Sequence, residues 1–233
     1  MIDSVRQTVL SILNKNNYGY ISPSDFNLYA KQAQLEVFES YFTGLNQAIN
    51  AENARMSGTE YADMSKGISE AINVFSVTNP LTQNAANVFF APSLTTTGDD
   101  YYLLNKVLAG GIEAEPVSHS KITMLNASLL TAPSTQFPAY TLQGDSITVF
   151  PATFNQPGDV TCQYIRYPFD PKWTYVSLVG GEPVFDQSQL DYQDFELPIE
   201  DEPRLVYRIL QMAGMSIREG DVYQFANAEE QQQ

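Results

Sequence analysis

The chain has 233 residues, of which 27 are acidic and 12 are basic, and its formal net charge is −15. This charge disfavours ordinary binding to DNA or RNA, because clustered Lys and Arg residues hold phosphate backbones. With 1 histidine and 1 cysteine, Cys162, the sequence excludes an internal disulfide and a CxxC zinc arrangement, and it has few of the groups that enzymes use.

No stretch of the sequence reaches the roughly 18 consecutive apolar residues that a membrane span needs. The first residues, Met1 to Arg6, are typical of an amphipathic helix and not of a signal peptide. Because 43% of the residues are apolar, the chain can bury a sizeable core. We therefore expect a soluble, folded protein that is made in a reducing compartment and has no membrane partner.

Residues 1–72 are predicted to be helical. Apolar residues recur there at helical spacing in two sets: Ile2, Val5, Val9, Ile12 and Leu13 in the first, and Phe26, Ala30, Ala33, Val37, Tyr41 and Leu45 in the second. The second helix has a clear start, because Ser22 and Asp25 are spaced as a capping box and Pro23 suits the first helical position.

A second apolar stripe lies beside the first on this long helix, formed by Phe38, Phe42 and Ile49. A helix that is apolar around so much of its circumference must be covered on two sides. The cover is either its own domain or a neighbouring subunit, so the stripe indicates oligomerisation. If Phe42 packs against an adjacent subunit, Phe42→Asp should abolish assembly and leave a folded monomer.

Beyond Asn73 the sequence changes to short β-like runs that are separated by Pro, Gly, Asn and Thr. The runs are Val74–Val77, Val88–Phe90, Tyr101–Val107, Ala139–Leu142, Ile147–Phe150, Val160–Tyr167 and Thr174–Val179. Gln143–Asp145 and Gly180–Gly181 each follow a run and predict hairpin turns.

Two further helical segments are predicted. The first lies near 118–129, with Ser118 as its N-cap and one apolar side, which consists of Ile122, Leu125 and Leu129. The second begins at Pro203 and ends at Gly214, which stands at a helix C-cap position. Residues 219–233 follow as a short helix and a polar tail.

The sequence therefore predicts an α+β fold in which N-terminal and C-terminal helices form a bundle with an inserted, mostly antiparallel β domain. The N-terminal helical part covers residues 1–72, and the inserted β-rich domain, with its short helix, covers residues 73–186. Residues 187–233 supply the C-terminal helices that complete the bundle.

The sequence from Asn14 to Asp25 has the loop length, the glycine and the aliphatic residue of an EF-hand. Its ligands are poor, because Asn14 stands where Asp is expected, Tyr18 is at the fifth position and Asp25 replaces the final bidentate Glu. One carboxylate is too few for a hard divalent cation. We expect a helix hairpin with Asp25 in a cap, and no metal site.

His119 is the only imidazole, and Ser118 and Ser120 flank it. A hydrolase would also need an orienting carboxylate and an oxyanion site, which nothing in the sequence marks. We interpret His119 as a residue at the start of the short helix, and we expect no catalytic residue and no cofactor.

Residues 182–202, which we call the acidic segment, have no Lys or Arg among them. Their carboxylates belong to Glu182, Asp186, Asp191, Asp194, Glu196, Glu200, Asp201 and Glu202. Glycoside hydrolysis needs two carboxylates in a cleft, and sequence density does not supply a cleft. We expect a solvated acidic face. Alternatively, the segment docks on a basic partner, which predicts salt-dependent assembly, or borders a channel through which DNA slides.

The remaining motifs are weaker. Gly98–Asp100 and Gly110–Gly111 lack the lysine and the strand–loop–helix context of a phosphate cradle, so we interpret them as turns. The sequence from Tyr164 to Trp173 mixes basic and aromatic residues, but two basic residues are too few for a nucleic-acid groove. We expect packing of Trp173 and Tyr167 instead.

Taken together, several separated segments resemble one family: the minor structural proteins of crAss-like short-tailed bacteriophages that form rings at the head-to-tail connector. The resemblance spans most of the chain. Its segments are Asn17–Phe26, Ala33–Phe38, Pro116–Val117 through Leu129–Pro133, Pro138–Tyr140 through Ile147–Pro151, Tyr164–Pro168 with Pro171–Trp173, and Phe195–Pro198 leading to Ile209–Gly214.

The resemblance implies a non-enzymatic virion protein that is made in the bacterial host cytoplasm and is located at the head-tail junction. It implies a multi-subunit ring between the portal and the tail, with twelvefold symmetry that matches the portal. The implied partners are further copies of the chain, the portal protein and other connector or tail proteins. DNA would pass through the ring without specific binding.

The main alternative is a tail-associated component that binds a receptor or a carbohydrate. A β domain rich in Tyr, Thr and Asn suggests it, although these residues also suit ordinary strands and turns. A receptor-binding protein would form trimers or long fibres and bind host glycans, and a connector would do neither.

Overall fold

The computed structural model describes residues 1–14, 21–55, 64–178 and 180–217, with the backbone alone for 51–55, 64–65 and 215–217. Helices at both ends of the chain and mostly antiparallel sheets between them form the predicted α+β fold. The chain divides into two compact units. Unit 1 comprises Met1–Ala71 and Pro168–Gln233, and unit 2 comprises Ile72–Tyr167.

Unit 1 contains most of the helices. They are α1 (Ile2–Leu13), α2 (Pro23–Arg55), α3 (Met64–Asn73), which runs into unit 2, and α5 (Glu202–Ile217), which follows a 3-10 turn at Ile199–Asp201. α5 packs against both α1 and α2. The apolar residues predicted to share one face of α1 and α2 are buried from Ile2 to Leu13 and from Phe26 to Tyr41, but Ile12 and the last predicted residue, Leu45, are only half-buried. The helical spacing of the sequence therefore located the core of this unit.

The start of α2 is the predicted one. The Oγ atom of Ser22 accepts a hydrogen bond from the backbone N–H of Asp25 at 3.2 Å, and Pro23 is the first helical residue. The carboxylate of Asp25 accepts the Ser22 hydroxyl at 2.6 Å. The bond from the Asp25 N–H satisfies one of the N–H groups that the first turn of a helix leaves without partners.

The end of α5 differs from the prediction. The helix does not stop at Gly214 but continues to Ile217. Ala213 and Gly214 are both buried on the helix. Glycine costs a helix interior only about 1 kcal/mol relative to alanine, which tertiary packing readily outweighs. The predicted short helix and tail at 219–233 lie outside the described residues.

Unit 2 consists of two sheets and one helix. Strands β1 (Ser76–Pro80), β9 (Val160–Arg166), β4 (Tyr101–Ala109) and β5 (Ile112–Glu113) form the first sheet in that order. Strands β2 (Gln83–Ala85), β3 (Val88–Phe90), β8 (Ser146–Phe150), β7 (Ala139–Gln143) and β6 (Glu115–Pro116) form the second. Every pairing is antiparallel except that of β6 with β7.

One buried apolar cluster contains residues from both sheets. Phe89, Ile147 and Val149 come from the second sheet, and Val107 and Val160 come from the first. Their strands alternate between buried and half-buried residues, as strands with one covered face do. The strand runs read from the sequence are therefore the framework of this unit.

The predicted turns are confirmed. Gly144 has φ +57° where β7 and β8 meet, and Gly110 and Gly111 join β4 to β5 with φ values of +58° and +82°. Gly181, with φ +83°, follows β10 (Tyr175–Ser177) and precedes its partner β11 (Pro183–Phe185). Glycine adopts these left-handed conformations without steric cost, which fixes the turn positions.

The β10–β11 ribbon belongs to unit 1, so unit 2 ends at residue 167 and not at the predicted residue 186. Trp173 explains the difference. Its ring stacks on Tyr175 and Phe185, with centroids 5.6 and 5.9 Å away, and its Nε1 donates to Asp3 of α1 at 2.9 Å. The ribbon is thereby packed on the helical unit.

Candidate functional site

α4 (His119–Asn126) is the predicted short helix of unit 2. The Ser118 Oγ atom caps it by accepting the Lys121 N–H at 3.4 Å, and exposed His119 is its first residue, as predicted. Ile122 is buried on its apolar side, but Leu129 lies beyond the helix end and is fully exposed. The prediction that Leu129 belongs to the apolar side of the helix was therefore wrong.

Most of the EF-hand-like loop, residues 15–20, lies outside the described residues. Asn14 follows the end of α1. The side chain that caps α2 is Ser22 and not the expected Asp25, whose carboxylate accepts the Ser22 hydroxyl. Among the residues that the structure does describe, no three His, Cys, Asp or Glu side chains converge in a way that could hold a metal ion.

The acidic segment agrees with the solvated face that its composition predicts, because three of its eight acidic residues are exposed, five are half-buried and none is buried. Four of its carboxylates bind to partners far away in the sequence. Glu202 accepts the Ser4 hydroxyl at 2.6 Å, Glu196 accepts the Phe169 N–H at 2.8 Å, and Asp201 accepts the Tyr41 hydroxyl. Asp194, described next, is the fourth. These hydrogen bonds connect the acidic segment to α1, α2 and the loop at Phe169.

Asp194 holds the start of α1. Its Oδ1 atom accepts the backbone N–H groups of Ile2 and Phe195, each at 2.8 Å, and its Oδ2 atom lies 3.0 Å from the Met1 amino group. Burial alone would raise the pKa of Asp194, but these hydrogen bonds and the ammonium charge outweigh it and lower the pKa below its usual value. A carboxylate at a helix N-terminus also interacts favourably with the helix dipole.

Trp173 lies between a cation and two aromatic rings. The Arg6 guanidinium carbon is 3.8 Å from the centroid of its ring, and the indole is only 2% exposed. This confirms the predicted packing role of Trp173. Tyr167 differs, because it is 40% exposed and contacts Tyr102 edge to face at a centroid distance of 5.2 Å.

Cys162 is also fully buried, in the core of unit 2. Burial raises the pKa of its thiol to about 12. A thiol in that state is a poor nucleophile and a poor metal ligand, since the thiolate is the reactive form.

The chain matches no family model and no curated protein.

None of the helices in the described part of the chain is both long enough and apolar enough to cross a membrane. Three apolar features stand out on the surface of the described residues.

The first is the second stripe of α2. Phe38 is fully buried within unit 1, Phe42 is half-buried and contacts Phe38 edge to face at 5.2 Å, and Ile49 is exposed. The described residues therefore bury Phe42 only in part and leave Ile49 exposed. The sequence predicted that this stripe is covered either by its own domain or by a neighbouring subunit. For Phe38 the cover comes from its own chain.

The second feature, which we call the α1–α5 groove, is a surface groove of about 410 Å³. Ile12 of α1 lines it together with Ile199, Pro203, Val206 and Tyr207 from the start of α5 and the turn before it.

The third feature, which we call the apolar segment, is Met124–Phe137. Met124, Leu129, Leu130 and Phe137 are each at least 75% exposed. Sequence reasoning missed it by assigning Leu129 to a buried helix face. The signal was present in the sequence, because residues 116–144 contain no acidic residue in an otherwise acidic chain.

Proposed function

We propose that the chain is a non-enzymatic virion structural protein that forms a multi-subunit ring at the head-tail connector of a short-tailed bacteriophage, between the portal and the tail. The ring would be a conduit for the genome. The family resemblance of the sequence suggests this role, and the chemistry of the surface supports it.

The observation that carries the proposal is that several large apolar side chains are exposed to solvent in both units. The side chains that are at least 63% exposed are Leu28, Leu94, Met124, Leu129, Leu130, Phe137, Leu190 and Ile199. Single exposed apolar residues are normal in monomers, but grouped ones mark interaction surfaces. Such a surface suits a protein that acts by assembly.

The net negative charge of the chain suits a ring through which DNA passes. With 27 acidic and 12 basic residues, a ring of many copies would present DNA with net repulsion. DNA could then move through without being retained, because retention depends on Lys and Arg contacts to phosphates.

The first experiment measures the mass of the purified protein by light scattering on a sizing column and averages electron-microscope images of the peak. Closed rings with a central hole are the expected result. A monomer, a trimer or an elongated fibre would contradict the ring.

Phe42→Asp tests whether the second stripe of α2 faces a neighbouring subunit. We expect a folded monomer, because a carboxylate cannot be buried in an apolar contact without a partner. Asn46→Asp is the matched control, since it adds the same charge to an exposed position of the same helix. Rings that survive Phe42→Asp would exclude the stripe from the contact, and an unfolded variant would assign Phe42 to the core.

One observation favours the alternative function, a tail component that binds carbohydrate. Unit 2 has a pocket of about 410 Å³, and its lining residues include Phe90, Asp145, Ser93, Thr95 and Thr96. An aromatic ring beside polar groups is a usual environment for a small polar ligand. Glycan-array binding that Asp145→Ala abolishes would support this function, and the absence of binding would count against it.

A further inference from the structure

We infer that the pocket of unit 2 binds an amino sugar, with the protonated amino group of the sugar at Asp145. We call it the β3 pocket, and its lining residues are Phe90, Ala91, Pro92, Ser93, Thr95, Thr96 and Asp145. The inference rests on the alternative function proposed for this pocket, carbohydrate binding, and names the class of sugar. It does not depend on whether the chain forms a ring.

The β3 pocket lies where β3 ends beside the turn between β7 and β8. Phe90 is the last residue of β3 and pairs with Ser146, the first residue of β8. The Ala91 N–H then donates to the Asp145 carbonyl at 2.7 Å. The register of the second sheet therefore brings Asp145 next to the residues that follow β3.

The hydroxyl groups of the pocket residues are positioned by hydrogen bonds. The Ser93 Oγ atom lies 3.1 Å from the Thr95 Oγ1 atom and 2.8 Å from the Thr96 Oγ1 atom. The N–H groups of Thr96 and Thr97 donate to the Ser93 carbonyl at 3.0 and 2.9 Å. Groups that are ordered before a ligand arrives lose less entropy when it binds, and a hydroxyl can both donate and accept. This arrangement suits a ligand that itself carries several hydroxyls.

Asp145 supplies the charge of the β3 pocket. Its side chain is exposed, and no hydrogen bond or ion pair joins its carboxylate to another residue in the described part of the chain. Asp194 and Asp201 differ, because their carboxylates accept hydrogen bonds from within unit 1. A carboxylate forms its strongest hydrogen bonds with a charged donor such as an ammonium group. The Asp145 carboxylate is therefore available to a cationic ligand.

The same charges exclude anionic ligands. The seven residues that line the β3 pocket include no Lys or Arg, and the chain has a net charge of −15. A phosphate, a sulfated sugar or a sugar acid would meet repulsion with no counter-charge beside it. A neutral sugar would leave the Asp145 carboxylate without a cation. An amino sugar supplies both an ammonium group and hydroxyls.

The apolar part of the lining suits a sugar ring. Ala91 and Pro92 are buried and Phe90 is half-buried, so this wall is part of the packed fold. A pyranose ring has C–H groups as well as hydroxyls, and apolar residues can cover those C–H groups. The volume of about 410 Å³ lies near the lower end of the range for small-molecule sites, roughly 300–1,000 Å³. It therefore favours a single sugar unit.

The test compares three sugars that share one ring and differ at one carbon atom. Glucosamine carries a protonated amine at pH 6, N-acetylglucosamine carries a neutral amide, and glucose carries a hydroxyl. Titration of the full chain at constant ionic strength, followed by NMR, gives a dissociation constant for each sugar. We expect glucosamine to bind about fivefold more tightly than the other two, because a partly exposed ion pair contributes up to about 1 kcal/mol.

Three variants separate the contributions to binding. Asp145→Asn keeps the shape of the side chain and removes its charge, so it should bind all three sugars with equal affinity. Glu115→Gln is the matched control, because Glu115 is exposed in the same unit and does not line the pocket, and it should keep the preference for glucosamine. Thr95→Val removes one hydroxyl and should weaken all three sugars alike, by about threefold. Circular dichroism checks that each variant is folded.

Equal binding of the three sugars by the wild-type chain would overturn the amino-sugar inference and leave carbohydrate binding intact. A preference for glucosamine that survives Asp145→Asn would overturn the role of Asp145. Loss of the preference in Glu115→Gln as well would assign it to the overall charge of the chain and overturn the local contact. If none of the three sugars binds, both the inference and the alternative function are overturned.

Discussion

Replacement of Asp194 by alanine should destabilise unit 1 by about 2 kcal/mol. The change removes the acceptor of the Ile2 N–H, and loss of a helix N-cap acceptor costs about 0.5–2 kcal/mol. It also removes the contact with the Met1 amino group, which is near the surface and adds up to about 1 kcal/mol. Water can partly solvate the Ile2 N–H and the Met1 amino group once the carboxylate is gone. The total loss of stability therefore lies near the lower end of the range for hydrogen bonds to charged groups.

The assay follows from the single tryptophan. Trp173 is the only Trp in the chain and is buried in unit 1, so its fluorescence reports the unfolding of that unit. At a urea dependence of about 2 kcal/mol per molar, the expected loss lowers the unfolding midpoint by about 1 M. Glu200→Ala, in the same acidic segment but exposed, should leave the midpoint almost unchanged.

The effect should also depend on pH. The pKa of Asp194 in the folded protein is below its ordinary value of 3.8, so the carboxylate stabilises the fold above that value. The contribution is lost as the pH falls through the lowered folded pKa. The difference in midpoint between the wild-type chain and Asp194→Ala should therefore be full at pH 7 and shrink below pH 3.8. Equal midpoints at pH 7, or a difference that does not shrink in acid, would refute the reasoning.

Three further predictions concern two buried side chains and one turn glycine. The Cys162 thiol, with a pKa of about 12, should react with a thiol reagent at pH 8 on the order of 10³ times more slowly in the native chain than in the unfolded chain, and equal rates would contradict its burial. Tyr41→Phe, which removes the hydroxyl donor to Asp201, should destabilise unit 1 by about 1.5 kcal/mol in the Trp173 assay, and no change would mean that water replaces the bond. Gly110→Ala should destabilise unit 2 by about 1–2 kcal/mol, because φ of residue 110 is +58° and the new Cβ would lie 3.0 Å from the Phe154 ring. Thermal unfolding followed by circular dichroism measures this loss, and an unchanged melting temperature would refute the strain.

The sequence was informative wherever local periodicity decides the structure. The alternation in β8 and β9 and the helical spacing in α1 and α2 predicted those elements and much of their buried faces. The strands that were missed, β2, β5, β6 and β11, have only two or three residues each. Their pairing depends on the neighbouring strand and not on their own composition, so no local pattern could have located them.

The acidic segment shows the other limit of the sequence. Density of charge predicted a solvated face, but it did not predict that Asp194 would bind the N–H of a residue 192 positions away. Which carboxylate meets which donor is decided by the packing of unit 1, and sequence spacing carries no record of it. The surface that now bears the assembly hypothesis was missed for a similar reason, because α4 ends at Asn126 and leaves Leu129 outside the helical pattern.

The parallel pairing of β6 with β7 has a consequence for how this protein can vary. The chain leaves the second sheet at Pro116 and re-enters it at Ala139 on the adjacent strand, so residues 117–138 form an excursion whose two ends are anchored side by side. Neighbouring strands are only about 4.8 Å apart, and lengthening such a loop changes its closure entropy slowly. The tip of the excursion can thus be lengthened, shortened or exchanged between related chains while the sheet keeps its register. The sequence and length of this excursion can therefore diverge independently of the sheet that carries it.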